Sequence, residues 1–350
     1  MQNDFKIHIN ALSKTGVLLE ADTAEREAVI ETAGHHNAWF TRENVLNALQ
    51  GISRNLRTEE LEKWLAPYNL EKSPSAPLNI GLVLAGNIPL VGFHDIICVL
   101  VSGHRALIKM SGQDTTLSAW LLDKLKEAAP LYADRLLITE RLESPDAVIA
   151  TGSNNSARYF EQYFGRYPHI IRKNRNSAAI LTGEETEAEL QELGKDIFLY
   201  FGLGCRNVSK LFAPAGYDFQ PLLNAFEPYR EVIRHHKYSN NYEYQLTIRL
   251  MNRDPHFTNG FILLVENSAY TSPIASLNYE FYRGNQELEQ RLQADADLLQ
   301  CVASAGGRFP GTISFGQTQF PALWDYADNV DTLKFLTEAT LIPRYGCRRC

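Results

Sequence analysis

The feature that most constrains the fold of this sequence is a regular alternation of apolar strands with helices that begins at Leu78. Three strands and three helices are predicted in alternation, at 78–85, 90–102, 105–110, 115–129, 146–150 and 153–164. Strands that are apolar along their whole length are typical of a parallel sheet covered by helices on both faces. Sheets of this kind bind ligands at the carboxyl ends of their strands.

The length of 350 residues suits two packed domains rather than one. Helical patterns extend to about residue 70, and a Ser/Pro-rich linker follows at 73–77. We expect N-terminal helices plus a first α/β domain over residues 1–181. We expect a second α/β domain over 182–320, and a C-terminal segment at 321–350 that returns to the first domain.

Composition excludes several classes of protein. A net charge of −7 and a pI near 5.8 argue against nucleic acid as a partner, because nonspecific binders need a basic surface. The longest apolar run, 96–101, is far shorter than the ~20 residues that span a bilayer. The N-terminus lacks the apolar core of a secretory signal. Five scattered cysteines do not form a disulfide framework. We therefore expect a cytoplasmic protein without a membrane span and with free thiols.

The first candidate for chemistry is Cys205, in the segment FGLGCRN at 201–207. Two glycines before the cysteine permit a tight turn that can present the sulfur to a cleft. Arg206 can favour the thiolate, which is the nucleophilic form of cysteine. The alternative is an inert cysteine that packs as a small apolar residue.

Further candidates follow the three predicted strands at their carboxyl ends. Asn87 can donate a hydrogen bond to an oxyanion, although an ordinary turn or helix cap is the alternative. Lys109 and Ser111 suit a ribose hydroxyl or a phosphate. Gly152 lets a ligand approach the backbone, and Ser153 opens a helix whose N-terminus favours anions. The ordinary dinucleotide fingerprint, with three spaced glycines, is absent.

In their order and spacing these segments resemble the aldehyde-dehydrogenase superfamily, and within it the fatty-acyl reductases of bacterial luminescence and their acyl-CoA reductase relatives. The segments that carry the resemblance are LAGNIPL at 84–90, SGHRALIKMS at 102–111, ATGS at 150–153, RNSAAIL at 175–181 and FGLGCR at 201–206. The resemblance runs from about 78 to 215 and continues more weakly towards the C-terminus. It implies an aldehyde-dehydrogenase-like fold of two α/β domains with parallel or mixed sheets and an active-site cleft between them. The cofactor-binding domain would lie within 1–181, and the catalytic domain, which carries Cys205, within 182–320.

The resemblance also implies roles for the matching residues. Cys205 would attack an acyl thioester and carry the acyl group, and Asn87 would stabilise the oxyanion. Lys109 and Ser111 would contact the adenosine ribose or a 2′-phosphate, and Gly152 and Ser153 would lie beside the phosphates or the nicotinamide. The acyl donor would be acyl-CoA or an acyl-carrying protein, and a homo-oligomer is compatible with the family.

Two departures from the superfamily pattern bear on the function: the first favours reduction over oxidation, and the second concerns the cofactor. The stretch IRKNRN at 171–176 holds no carboxylate where aldehyde-oxidising members carry a glutamate that activates water. The ribose-binding glutamate expected near 271–274 is also missing. With Lys109 this favours NADPH, with NADH as the alternative cofactor. The terminal pair Cys347 and Cys350 offers only two ligands, so no metal site is predicted.

Two other functions stay open from the sequence. One is an acyltransferase that uses Cys205 without reduction. The other is a nucleotide-binding scaffold that keeps the fold but never forms an acyl-cysteine.

Overall fold

The computed structural model of the protein describes residues 4–68, 70 and 76–338, and these form two units. The first unit holds the chain up to Lys173 and again from Ala322, and the second holds Asn174–Pro321. The sequence-based prediction placed the boundary between the two domains later in the chain, after Leu181. The chain changes unit earlier because the strand Asn176–Ile180 pairs with strands of the second sheet. The terminal cysteine pair and most of the predicted linker lie outside the described residues.

The N-terminal part of the first unit is helical, as the sequence predicts. Its helices are α1 (Asp4–Glu20), α2 (Ala24–His36), α3 (Arg42–Asn55) and α4 (Thr58–Leu65). Thr23 begins α2 by accepting a hydrogen bond from the backbone N–H of Arg26, and Thr41 does the same for α3 with Asn44.

A five-stranded parallel sheet follows these helices. Its elements are β1 (Asn79–Val83), α5 (Phe93–Val101), β2 (Arg105–Lys109), α6 (Thr116–Ala128), β3 (Leu136–Ile138), β4 (Ala147–Thr151), α7 (Asn154–Phe164) and β5 (His169–Arg172). The strand order is β3-β2-β1-β4-β5, so the direction of winding reverses at β1. The sequence predicted β1, β2 and β4 but missed β3 and β5, which are short.

The second unit contains a seven-stranded sheet. Its elements are β6 (Asn176–Ile180), α8 (Glu187–Phe198), β7 (Val208–Pro214), α9 (Gln220–Ala225), α10 (His236–Asn252), β8 (Phe257–Thr258), β9 (Leu263–Glu266), β10 (Ser276–Tyr282), α11 (Asn285–Ala294), β11 (Leu299–Ser304) and β12 (Ile313–Ser314). The order is β12-β11-β6-β7-β10-β9-β8, and all pairs are parallel except β8 with β9. The first sheet is thus parallel and the second mixed, and the expectation of an α/β fold with parallel or mixed sheets is confirmed.

The chain ends its described course in the first unit with α12 (Thr332–Thr337). Leu333 and Leu336 of this helix are buried in the same apolar core as α5. Among the described residues, no helix is both long enough and apolar enough to cross a membrane.

Candidate active site

Five of the predicted site residues lie at one edge of the first sheet. Lys109 is the last residue of β2, with Ser111 just beyond it, and Asn87 follows β1. Gly152 and Ser153 follow β4. Strands β2, β1 and β4 are neighbours that pair in parallel, so their carboxyl ends share this edge. Because the winding reverses at β1, the edge is a topological switch point, where open α/β sheets bind ligands.

The loop that carries Asn87 is packed directly on the turn after β2. A Cβ added to Gly86 would lie 2.5 Å from Ser111 Oγ, so glycine is required by this close approach. Leu90 has a positive φ of 57°, which is rare for a leucine. Its backbone N–H donates to Oδ2 of buried Asp114 at 2.8 Å. The Asn87 loop and the Lys109–Asp114 turn are thus one interlocked structure.

Gly152 and Ser153 form the entry into α7. Ser153 caps the helix by accepting from the backbone N–H of Ser156 at 3.2 Å. A Cβ on Gly152 would lie 2.9 Å from both Phe160 Cε2 and Ser156 Cβ, so the absence of a side chain lets the chain turn tightly from β4. The result is an exposed serine at a helix N-terminus, whose dipole favours anions.

Cys205 lies in the second unit, on the turn between α8 and β7, and its side chain is exposed. The turn has a rare backbone. Tyr200 and Phe201 both adopt left-handed conformations, with φ of 54° and 57°, and Gly202 follows with φ of 76°. Bulky residues avoid this region, at a cost of roughly 1–3 kcal/mol each. The sequence pointed to the glycines, but not to the strained aromatic pair before them.

A short polar chain lies behind Cys205. Ser177, fully buried on β6, donates from Oγ to the backbone oxygen of Cys205 at 3.0 Å. Ser177 Oγ also lies 3.1 Å from Cys301 Sγ on β11. Burial raises the pKa of the Cys301 thiol, while the positive charge of Arg206 and the hydrogen bond with Ser177 oppose that rise. The net effect is a raised pKa at Cys301, so this second thiol is held in its neutral form.

The stretch that lacks a carboxylate contains the end of β5. There Arg172 is buried and pairs with Asp95 of α5 through two hydrogen bonds, at 2.5 and 2.8 Å. The carboxylate that pairs with this stretch is therefore engaged by a guanidinium. Among the described residues no group of three or more histidine, cysteine or acidic side chains could hold a metal ion.

Three residues that hold these loops in place were missed by sequence reasoning: Asp114, Ser177 and Asn207. Each is buried and polar and acts on backbone atoms of a loop that carries a predicted site residue. Short polar residues of this kind are common in turns and caps, so the sequence offers no signal that separates them from ordinary turn residues.

The fold defined by these two sheets is that of the aldehyde dehydrogenases. Similar solved structures include indole-3-acetaldehyde dehydrogenase in complex with NAD+, with a TM-score of 0.64 and 13% identity over 86% of this chain and 72% of that one. Aldehyde dehydrogenase 21 from Physcomitrella patens, in complex with succinate, matches with a TM-score of 0.63 and 12% identity, over 87% and 73% of the two chains.

A third similar structure is the NADP-dependent glyceraldehyde-3-phosphate dehydrogenase from Bacillus halodurans C-125, complexed with NADP. Its TM-score is 0.59, with 12% identity over 87% of this chain and 74% of that one. No protein-family model matches the sequence, and no curated protein shows significant similarity to it. At such low identities the likeness establishes the fold, and function has to be argued from the site.

Proposed function

We propose that this protein reduces an acyl thioester to an aldehyde with NADPH, through an acyl-cysteine formed on Cys205. The observation that carries the proposal is the exposed thiol at the end of a strained left-handed turn in an aldehyde-dehydrogenase-like fold. Strained backbone persists only where its surroundings hold it, and it is concentrated at functional sites. An inert, core-packed cysteine, the alternative considered from the sequence, would be buried.

The first sheet supports the cofactor part of the proposal. A dinucleotide phosphate needs cations, hydroxyl groups and helix N-termini, and the switch-point edge offers Lys109, Ser111, Ser153 and the start of α7. Lys109 is exposed at the strand end and is the charged residue of this set. These residues would hold the cofactor, and Lys109 would favour a 2′-phosphate and hence NADPH over NADH. When bound, the reduced nicotinamide supplies a hydride.

The chain's own groups account for the remaining chemistry. The Cys205 thiolate attacks the acyl carbon, a new thioester forms, and the thiol of the donor, acyl-CoA or an acyl-carrying protein, leaves with its electron pair. Asn87 donates a hydrogen bond to the developing oxyanion. After reduction, collapse of the thiohemiacetal on Cys205 releases the aldehyde and restores the thiolate.

The pairing of Arg172 with Asp95 fits a reductase. An acyl-cysteine that must wait for a hydride is lost if a carboxylate activates water near it. The side chain at the end of β5 is a guanidinium, and the neighbouring carboxylate is already engaged by it. The stretch at 171–176 therefore offers no general base of the kind that aldehyde-oxidising members of the superfamily carry there.

The proposal is tested by intact-protein mass spectrometry after mixing with a mid- or long-chain acyl-CoA, with and without NADPH. We expect an acyl adduct on the wild-type protein and on Cys301→Ser, which keeps a hydrogen-bonding group beside Ser177, and no adduct on Cys205→Ala. Added NADPH should discharge the adduct as aldehyde. An adduct that NADPH leaves in place would instead indicate an acyltransferase, and no adduct from any acyl donor would indicate a scaffold.

The role of Asn87 is tested separately by single-turnover acylation. Removal of one oxyanion donor slows such reactions by roughly 10²–10³-fold, so Asn87→Ala should acylate that much more slowly than the wild-type protein. Asn10→Ala, at an exposed position of α1, is the matched control. An unchanged acylation rate in Asn87→Ala would remove this residue from the mechanism.

A further inference from the structure

The turn that presents Cys205 is under strain. Three consecutive residues, Tyr200, Phe201 and Gly202, have positive φ. Only the glycine adopts this conformation freely. The two aromatic residues adopt it only at a cost in free energy relative to ordinary turn backbone. Interactions elsewhere must hold the turn closed, or it would relax to right-handed conformations and move the cysteine.

The side chain of Asn207 supplies such interactions at both ends of the turn. Its amide nitrogen donates to the backbone oxygens of Leu199, at 2.8 Å, and of Asp196, at 3.0 Å. Its amide oxygen accepts from the backbone N–H of Gly204 at 2.8 Å. The residue is 2% exposed, so water does not compete for these bonds.

These bonds also satisfy backbone carbonyl groups at the end of helix α8. The last carbonyl groups of a helix have no partner within it, and here two carbonyls near the end of α8 receive the two amide hydrogens of Asn207. The backbone N–H of Asn207 donates to the oxygen of Gly204 at 3.0 Å. One side chain and its own backbone therefore join the helix end to the residue just before Cys205.

We propose that Asn207 is the positioning residue of the nucleophile turn: its amide clamps the left-handed segment and so fixes where the Cys205 thiol sits. The inference rests on the proposed function for its catalytic consequence, but the clamp itself is a property of the turn. Asn207 acts through the backbone of Asp196, Leu199 and Gly204.

An isosteric substitution separates the clamp from simple packing. Asn207→Asp keeps the shape and the acceptor for Gly204 but sets carboxylate oxygens against the carbonyls of Leu199 and Asp196. Asn207→Ala removes every one of these side-chain bonds. The same two changes at Asn224, an exposed residue of α9, serve as controls.

The experiment measures single-turnover acylation by acyl-CoA at several substrate concentrations. We expect both Asn207 variants to lower the maximal acylation rate at least 100-fold, with the half-saturating concentration of acyl-CoA changed less than threefold. The Asn224 variants should behave like the wild-type protein. A maximal rate within threefold of the wild-type value in both Asn207 variants would overturn the inference.

A purely structural role is excluded by thiol alkylation with iodoacetamide, localised by peptide mass spectrometry. In a folded variant exposed Cys205 is modified fastest, partly exposed Cys301 reacts more slowly, and buried Cys98 stays protected. Loss of acylation together with faster alkylation of Cys301 would mean that the second unit has opened, and would count against positioning.

Hydrogen exchange makes the clamp testable even if the proposed function fails. We expect the Gly204 amide to exchange at least 10-fold faster in Asn207→Ala than in the wild-type protein. If the wild-type protein is never acylated but Gly204 shows this change, the proposed function is wrong and the clamp stands. Unchanged exchange at Gly204 would refute the clamp itself.

Discussion

The buried pair of Asp95 and Arg172 should contribute strongly to the stability of the first unit. Two hydrogen bonds join the side chains, at 2.5 and 2.8 Å, and Arg172 also donates to Thr332 Oγ1 at 2.8 Å. Burial opposes the charge on Arg172, but the Asp95 carboxylate holds the pKa of the guanidinium above its usual value. Removing either partner would leave a buried charge without its counterion.

The magnitudes follow from this geometry. Asp95→Ala and Arg172→Met should each lower the free energy of unfolding by roughly 3–5 kcal/mol. The double variant contains no unpaired charge, so it should lose little more than one single variant, which gives a coupling energy of at least about 2 kcal/mol. Thr332→Val leaves the ion pair intact and should cost about 1.5 kcal/mol.

The assay uses the distribution of tryptophan in the chain. All four tryptophans, Trp39, Trp64, Trp120 and Trp324, belong to the first unit, so their fluorescence during urea denaturation reports the unfolding of that unit alone. The coupling energy between Asp95 and Arg172 should change little between low and high salt, because buried ion pairs are poorly screened. Single-variant losses below about 1 kcal/mol, or additive losses in the double variant, would refute the reasoning.

Three further predictions concern the loops of the site. Gly202→Ala should lower the free energy of unfolding, measured by circular dichroism, by about 1–2 kcal/mol, because φ at this position is 76°. A clash does not contribute, since the nearest atom to an added Cβ, Ile197 O, is 3.5 Å away. An unchanged free energy of unfolding would mean that this φ is not required. Gly86→Ala should weaken NADPH binding at least tenfold, since the new Cβ displaces Ser111, whereas Gly51→Ala, with no atom within 4 Å, should bind like the wild-type protein. Burial raises the pKa of Asp114 from 3.8 to about 6, so its stabilising protonated form is lost as the pH rises through 6. The free energy of unfolding of the first unit should therefore fall by up to about 3 kcal/mol between pH 4 and 7. An equal fall in Asp114→Asn would show that other groups cause the pH dependence.

Much of the first sheet could be predicted from the sequence because its strands are apolar and its helices have regular spacing. Strands β1, β2 and β4, and with them the edge that holds Asn87, Lys109 and Gly152, follow from that pattern alone. Strand β5 has only four residues, so its periodicity is too short to identify. The boundary of the units was misplaced for another reason: whether β6 pairs with β4 or β7 depends on contacts distant in sequence.

The nucleophile turn shows where local sequence rules stop. Gly202 predicted a turn. The conformational preferences of Tyr200 and Phe201, however, predict right-handed or extended backbone, not the left-handed backbone observed. Their left-handed conformations depend on buried hydrogen bonds made by Asn207, several residues later. In the same way, the exposure of Cys205 was expected, whereas the contact between Ser177 and Cys301 required the pairing of β6 with β11.

The divided course of the first unit has a consequence for biosynthesis. The ribosome delivers the chain from its N-terminus, so β1–β5 emerge long before α12, and the whole second unit is made in between. Until Thr332, Leu333 and Leu336 emerge, Arg172 lacks one of its acceptors and the apolar core beside α5 lacks its cover. The second unit, which is continuous, can close as soon as Pro321 leaves the ribosome. The half of the protein that is synthesised first is therefore the last to be completed.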